Sequence, residues 1–339
     1  MSSPRLTVVV PTYQRRDSVL RLLGSLAAQT APAGAFDVVV AVDGSTDGTA
    51  DAVRRYAAPF SVTVVEAPNR GRARACNGGV RAATGDLLIL LDDDMEAAPG
   101  LVEAHARAHG RTAPRAVVGA APIVTSPDSP PFVRYMADGF QTRLDRLGRP
   151  GYRLRFRDTY TGNFSVRRDV FQSVGGFDES FQVYGHEDYE LALRLEKLGV
   201  ELAYSQEAVA WQHYEKSFGG FARDAIARGR TAVLFAGKHP EVVESIKLAE
   251  YARAPIKWRL MRGLLLRAGG LSDRVPALVI AAVDAAERRR SPQLERWYRY
   301  AIDFFYWYGV RQARRERPAS ARTEPATAGP PGLSGMRDA

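Results

Sequence analysis

The sequence predicts an α/β protein: a doubly wound, mainly parallel sheet followed by a C-terminal α-helical appendage. Three observations predict it. Short β-branched and aliphatic runs alternate with helical patterns from Leu6 to Leu91, as parallel strands alternate with their crossover helices. Each run empties into a polar, turn-forming stretch, which places these stretches on the C-terminal edge of the sheet, where open α/β sheets bind ligands. From Ser217 onward the pattern is helical and basic, with 22 Lys/Arg against 12 Asp/Glu, compared with 25 against 26 before it.

These shifts divide the 339 residues into a near-neutral domain at 1–216, a basic helical region at 217–316, and a tail at 317–339. The tail is rich in Pro, Ala, Gly and Ser and poor in large apolar residues, so disorder is expected there. A hydrophobic content of 45% with 25% charged residues is that of a globular protein. The single cysteine, Cys76, rules out an intramolecular disulfide and fits a reducing compartment. No basic segment precedes the first apolar run as in a signal peptide, and the late apolar run Val275 to Val283 is too short for a bilayer. Cytoplasmic location is expected, without a nucleic-acid partner. The basic helices would meet an anionic surface, such as the inner face of a membrane, or simply be solvated.

The first strand, Leu6 to Val10, runs into Pro11-Thr12-Tyr13 and Arg15, ahead of a helix carrying Val19, Leu22, Leu23 and Leu26 at helical spacing. Tyr13 has the ring to stack on a base and Arg15 the charge to meet a phosphate. The second strand, Asp37 to Val42, ends at Asp43-Gly44-Ser45-Thr46-Asp47-Gly48, where Asp43 can accept hydrogen bonds from a base or ribose, or else close its own turn. The third, Ser61 to Val65, is followed by Arg70, Arg72 and Arg74 on alternate residues of a glycine-flanked loop; guanidinium forks there suit a phosphate-bearing ligand. No G-x-G-x-x-G follows the first strand, which argues against a dinucleotide oxidoreductase.

The fourth strand is the most informative. Leu87 to Leu91, five large apolar residues in a row, leads straight into Asp92, Asp93 and Asp94. Three adjacent carboxylates repel one another, and a divalent cation held by their hard oxygens would offset that cost. A solvated acidic turn is the plainer alternative.

Beyond the acid cluster, Leu101 to His109 reads as a short surface helix. His105 and His109 are four apart, a metal-ligand spacing, but the Glu of H-E-x-x-H is missing and a metal role is rejected. Arg115 to Val124 reads as a strand, 126–157 shows no firm periodicity, and Thr159 to Val166 reads as another strand. Glu187 and Asp188 head a helix whose Leu191, Leu195 and Leu198 share a face; backbone N–H groups and the helix dipole favour an anion in that first turn. Glu201 to Tyr204 and Val209 to Trp211 read as two short strands leading to His213. Near the end, Trp297, Ala301, Phe304, Phe305 and Tyr308 form an apolar helical face beside Arg311, Arg314 and Arg315, suited to packing or to the headgroup layer of a membrane.

Taken together, Pro11-Thr12-Tyr13, the Asp43-Gly44-Ser45-Thr46-Asp47-Gly48 turn, the Asn69/Gly71/Asn77 loop, Asp92–Asp94 and the Gly175-Gly176-Phe177-Asp178-Glu179 turn resemble a family-2 glycosyltransferase of GT-A nucleotide-sugar-binding fold. The resemblance covers roughly residues 5–216. It implies a nucleoside-diphosphate-sugar donor contacted by Pro11, Thr12, Tyr13, Arg15, Asp43, Arg70, Arg74, Asp92 and Asp93. It also implies a divalent cation, Mn²⁺ or Mg²⁺, at Asp92, Asp94 and His213. Asp188 would be the general base for an inverting transfer to a sugar, lipid-linked or small-molecule acceptor, with Glu187 supporting it. Two positions depart from the family pattern: Val42 stands where a second Asp is common, and Cys76 where an Arg is common. A nucleotidyltransferase, or a non-catalytic nucleotide-sugar-binding module, is the alternative.

Overall fold

A computed structural model of the chain describes residues 5–32, 34–109, 114–253, 256–271 and 274–316, so the tail expected at 317–339 lies outside the described residues. The first half winds as its sequence dictates. Strands Leu6–Thr12 (β1), Phe36–Asp43 (β2), Val62–Ala67 (β3) and Leu87–Leu91 (β4) are linked by helices Arg16–Ala27 (α1), Thr49–Arg54 (α2) and Arg72–Ala82 (α3). They lie in the order β3-β2-β1-β4, every pair parallel. The two-residue period of a strand splits each apolar run between two layers. Val8, Val10, Val38, Val40, Leu87, Ile89 and Leu91 pack under α1 and α2, while Val9, Val39, Leu88 and Leu90 pack under α3. β4 is therefore buried along its whole length, with each leucine contributing about 1.5–3 kcal/mol by leaving water.

The second half is mixed rather than mainly parallel. It comprises Met95–Ala97 (β5), Leu101–Ala108 (α4), Arg115–Ala120 (β6), Pro131–Leu147 (α5), Asn163–Arg167 (β7), Arg168–Ser173 (α6), Glu187–Lys197 (α7) and Glu201–Gln212 (β8). The sheet continues β4-β7-β6-β8-β5, with β7 antiparallel to both of its neighbours, β5 antiparallel to β8, and β6 parallel to β8. Several expectations are corrected here. The stretch without periodicity holds a 17-residue helix, α5, whose apolar positions Phe132, Met136, Phe140 and Leu144 recur every fourth residue but are diluted by Gly139 and charged neighbours. The two short strands after α7 are one, β8, with a register shift opposite Gly119/Ala120. β6 stops at Ala120, and β7 begins only at Asn163.

Every regular element described after β8 is helical, the α-helices being Phe218–Lys238 (α8), Glu250–Arg253 (α9), Ile256–Leu271 (α10), Arg274–Arg288 (α11) and Leu294–Glu316 (α12). Glycine lets α8 and α12 approach backbone to backbone. A Cβ at Gly229 would lie 2.0 Å from the Tyr306 carbonyl oxygen, and one at Gly309 would lie 2.0 Å from that of Ile226. Around this crossing an aromatic core forms from Phe132 of α5, Phe218 and Phe221 of α8, and Tyr298, Phe304 and Phe305 of α12. The apolar face expected on the last helix is thus an interior face: Ala301, Phe304, Phe305 and Tyr308 are buried, and only Trp297 is exposed.

Candidate active site

The C-terminal ends of β1, β2 and β4, the start of α7 and the first three turns of α8 enclose a cleft of about 480 Å³. Pro11, Thr12, Tyr13 and Arg15 enter it from β1, Asp43 from β2, and Asp92, Asp93 and Asp94 from β4. Glu187 and Asp188 face them across the gap.

The turns are locked to one another before any ligand arrives. Gln14, at φ 54, donates its backbone N–H to Ser45 Oγ at 2.9 Å, and Asp47 accepts the Arg16 N–H at 3.1 Å. Asp43 does not merely close its own turn: its two oxygens accept the N–H groups of Arg70 and Gly71, each at 2.9 Å, clamping the loop before α3. Gly71 has φ +96 and no room for a Cβ, which would sit 2.7 Å from the Gln182 carbonyl oxygen.

The three adjacent aspartates have three different environments. Asp92 accepts a fork from Arg72, Nε at 2.9 Å and Nη2 at 2.8 Å, and occupies space that only a glycine at position 162 leaves open. Asp93 accepts the Thr12 hydroxyl at 2.8 Å, and burial pushes its carboxyl up to about 7 despite Arg15 at 3.8 Å. Asp94 receives Gln212 Nε2 at 3.3 Å and has Arg15 at 3.7 Å, but its Oδ1 is buried without a hydrogen-bond partner. Burial, then the Asp92 charge, pushes Asp94 up to about 6.

A buried, unsatisfied carboxylate oxygen among negative neighbours is a donor set that fits a hard divalent cation. Asp92 and Asp94 would hold such an ion. His213 is not placed with them: its Nε2 is 2.6 Å from Glu96 Oε2, and although its N–H donates to the Asp94 carbonyl at 2.8 Å, its ring does not line the cleft. In the extended backbone past β8, Gln212 and Tyr214 face the cleft, and the residue between them faces away. Among the described residues no three His, Cys, Asp or Glu side chains form a ready-made metal cage, so ligand oxygens would have to complete the shell.

Arg72 decides the electrostatics of the centre. Its Nη1 reaches Thr161 Oγ1 at 2.8 Å and Asp188 Oδ1 at 3.4 Å, and the Thr161 hydroxyl also donates to Asp188. Burial opposes the guanidinium charge, but Asp92 and Asp188 outweigh it and raise the Arg72 pKa. Of the three arginines on alternate residues, only this one lines the cleft; Arg70 is exposed and takes part through its backbone, and Arg74 does not reach the cleft. The helix begins at Arg72, and on a helix residues two apart point in opposed directions. Cys76, one turn further on the same face, is fully buried beneath Arg72, and burial pushes its thiol up to about 12.

The Glu187-Asp188 pair divides its work. His186 takes the left-handed conformation at the helix start, and Glu187 turns back to accept the Gly185 N–H at 2.8 Å. Burial, then Asp188, pushes Glu187 up to about 7. That leaves Asp188 to project into the cleft. Tyr184, Tyr214, Lys216, Phe221 and Arg228 complete the opposite wall. No spacing signal singled these out, because they come from a loop and the basic helical region. His105 and His109, expected on a surface helix, are instead drawn inward: His105 lies 2.8 Å from both Ser165 Oγ and Asn163 Oδ1, and His109 lies 2.7 Å from Ser165 Oγ.

The sequence pattern described as "Glycosyl transferase family 2" matches residues 7–175, and that of the "N-terminal domain of galactosyltransferase" matches 144–220. The chain belongs to glycosyltransferase family 2. Validoxylamine A glucosyltransferase from Streptomyces hygroscopicus subsp. jinggangensis is 35% identical over 230 residues, covering 60% of this chain and 54% of the relative. The chain therefore spans about half the length of that relative. N-acetylglucosaminyl-diphospho-decaprenol L-rhamnosyltransferase from Mycobacterium tuberculosis is 28% identical over 295 residues, 77% of this chain and 91% of the relative. A mannosyltransferase from Pyrobaculum calidifontis, solved in complex with GDP-Man and Mn²⁺, superposes with a TM-score of 0.59 over 91% of this chain and 88% of its own, at 24% identity. TarS of S. aureus in complex with UDP-GlcNAc gives a TM-score of 0.52 at 16% identity over 93% of both chains. These likenesses establish the GT-A fold of this family-2 chain.

Proposed function

We propose that this family-2 protein transfers a sugar from a nucleoside-diphosphate sugar to an acceptor hydroxyl, with inversion and with a divalent cation. The observation that carries this reading is the Arg72 bridge, which ties Asp92 at a strand end to Asp188 at a helix start within one cleft. Donor-side carboxylates and a proton acceptor thereby face the same volume. Tyr13, Asp43 and Arg15 take the nucleotide side. The Asp188 carboxylate accepts the proton of the acceptor hydroxyl as its oxygen attacks the anomeric carbon. The bond from that carbon to the diphosphate oxygen breaks in the same displacement, and its electron pair leaves with the diphosphate. A bound cation would offset charge on the departing diphosphate. Arg15 and Lys216 both line the cleft and supply positive charge from the chain itself. Arg72 keeps Asp188 pointed inward, and Thr161 fixes its Oδ1. A nucleotidyltransferase leaves the Asp188 arrangement without a role.

The test is calorimetry with UDP-, GDP- and dTDP-sugars in Mn²⁺, Mg²⁺ or EDTA, followed by anomeric analysis of the product. Cation-dependent binding of one donor and an inverted product are expected. Equal binding in EDTA, or a retained configuration, would overturn the corresponding part of the reading.

Peripheral membrane contact belongs to α10 rather than α12. Ile256, Leu260 and Leu264 are 74%, 68% and 68% exposed, and with exposed Arg259 and Arg267 they share one helical face. The helix carries no acidic residue. Among the described residues no helix is long and apolar enough to cross a membrane, so contact would lie in the headgroup layer. Vesicles with anionic lipid should sediment the protein at low salt, and Leu260→Ser with Leu264→Ser should release it. Sedimentation unchanged in that variant would contradict this assignment.

A further inference from the structure

Behind the helical wall of the cleft lies a second cavity of about 330 Å³, bounded by α5, the turn before α7, α8, the segment 245–247 and α12. It meets the cleft along a shared border of His186, Tyr189, Phe221 and Arg228. Its polar lining is strongly one-signed: Arg146, Arg157, Arg228 and Lys247 against the single carboxylate of Asp158.

That carboxylate is already occupied. Asp158 accepts Arg146 Nη2 at 3.3 Å, the Tyr152 hydroxyl at 3.1 Å and the Arg155 N–H at 3.1 Å. Lys247 lies 3.1 Å from Asp303, but Asp303 also takes Arg262 Nε at 3.0 Å and the Trp307 indole N–H at 3.2 Å, so it cannot neutralise both cations. Arg228 has no carboxylate within ion-pair distance among the described residues; Tyr184, Tyr189 and Tyr306 face it, with Glu187 beyond them. Surplus positive charge in a half-enclosed pocket calls for an anion.

A second, independent feature points the same way. Tyr306, 6% exposed, lines this cavity, and its hydroxyl is buried without any hydrogen-bond partner. Burial raises its pKa, so the hydroxyl keeps its proton and is a donor in search of an acceptor. Lys247 Nζ sits 4.8 Å over the same ring. A buried phenol donor, an ammonium group and guanidinium groups around one small volume are the donors a phosphoryl group satisfies.

We propose that this cavity is an anion subsite for the phosphate or diphosphate of a phosphorylated acceptor, whose sugar hydroxyl would extend past Arg228 toward Asp188. The subsite's acceptor role rests on the proposed transfer reaction; its affinity for a phosphoryl group does not, and the two are tested separately. The first measurement is calorimetric titration with inorganic pyrophosphate in EDTA, where the carboxylate-rich donor side repels an anion. Binding should be present in the parent, at least tenfold weaker in Arg157→Ala/Lys247→Ala, and three- to tenfold weaker in Tyr306→Phe, which removes one hydroxyl and little volume. Cation-dependent nucleotide-sugar binding should stay within twofold of the parent in both variants, which also reports that they are folded. The second is the KM for a sugar diphosphate acceptor, expected to rise at least tenfold in the double variant while the donor KM holds. No pyrophosphate binding in EDTA, or equal affinity in the double variant, overturns the subsite. Pyrophosphate binding lost as expected with acceptor KM unchanged overturns the acceptor role and leaves an adventitious anion site. A protein that binds pyrophosphate in this way but no nucleotide sugar would refute the transfer reading instead.

Discussion

The two walls of the cleft are built differently. On the strand-end wall, Asp43 and Asp92–Asp94 are carried by β2 and the turn after β4, strands buried on both faces, and their positions are set by ladder register and by Arg72, Thr12 and Arg15. On the facing wall, Phe221, Asp224 and Arg228 hang from α8, whose position depends on a glycine-mediated crossing with α12. The first wall is acidic and mutually braced; the second is basic, aromatic and part of a separate core. The difference teaches that, on the proposed reading, the donor side of the site is fixed by the sheet, whereas the side proposed for the acceptor follows the packing of the helices. Changes to the helical wall should therefore alter the acceptor before the donor, and changes to the strand wall should do the reverse.

The largest separation of the two is expected from Asp94→Asn, which should abolish cation-dependent nucleotide-sugar binding while leaving the melting temperature unchanged or raised, since a buried charge without its full set of partners is removed. Calorimetry with and without EDTA checks it. Binding at the parent level would show that the strand wall does not hold the ion.

Gly229→Ala attacks the other wall. The methyl group would meet the Tyr306 carbonyl and push α8 from α12, at a cost of about 1–3 kcal/mol, read by denaturant unfolding. Acceptor KM should rise more than donor KM. Equal changes in both would mean that the two walls are not independent.

Proton competition sharpens the acidic side. Asp94, one of the two carboxylates that would hold the cation, keeps its proton up to about 6, so cation affinity should decline a little near pH 7 as the neighbouring Asp93 is protonated and then fall by about tenfold per unit below pH 6, where the ligand must lose a proton to bind. A flat profile would contradict this.

The buried histidine pair, remote from both walls, should affect stability and leave binding unchanged. Burial pushes both His105 and His109 down to about 4, below the usual imidazole value. The unfolded chain therefore binds protons that the fold cannot, and stability is lost as pH falls from about 6.5 toward 4, with no further loss from these rings below that. Each ring contributes on the order of 1–3 kcal/mol. A His105→Asn/His109→Gln variant should lose less stability than the parent over that interval in urea titrations.

How much of this was legible in the sequence follows the same division. Leu87 to Asp94 declared both a buried strand and a site because apolar run and carboxylates are contiguous. The strand ends carrying Thr12, Asp43 and Asp188's helix were readable for the same reason: local spacing determines local structure. Of the three alternate arginines the resemblance pointed to Arg70 and Arg74, and the structure brings Arg72 into the cleft instead, since the choice depends on the residue at which α3 begins. His213 was expected as a ligand from the family resemblance, but alternation past β8 turns its ring toward Glu96. α5 was hidden because its apolar residues are spread over three cores and interrupted by Gly139. The aromatic face of α12 was visible as a face, but not what it covers, because burial against α8 is a long-range fact.

The measurement that tests the account most directly is donor affinity and turnover in Asp188→Asn. The substitution keeps shape and removes the carboxylate, proposed as the proton acceptor, that Thr161 and Arg72 hold in the cleft. The account predicts donor affinity within a fewfold of the parent and turnover lower by about 10²–10⁴. Transfer at the parent rate by the Asn variant would contradict it.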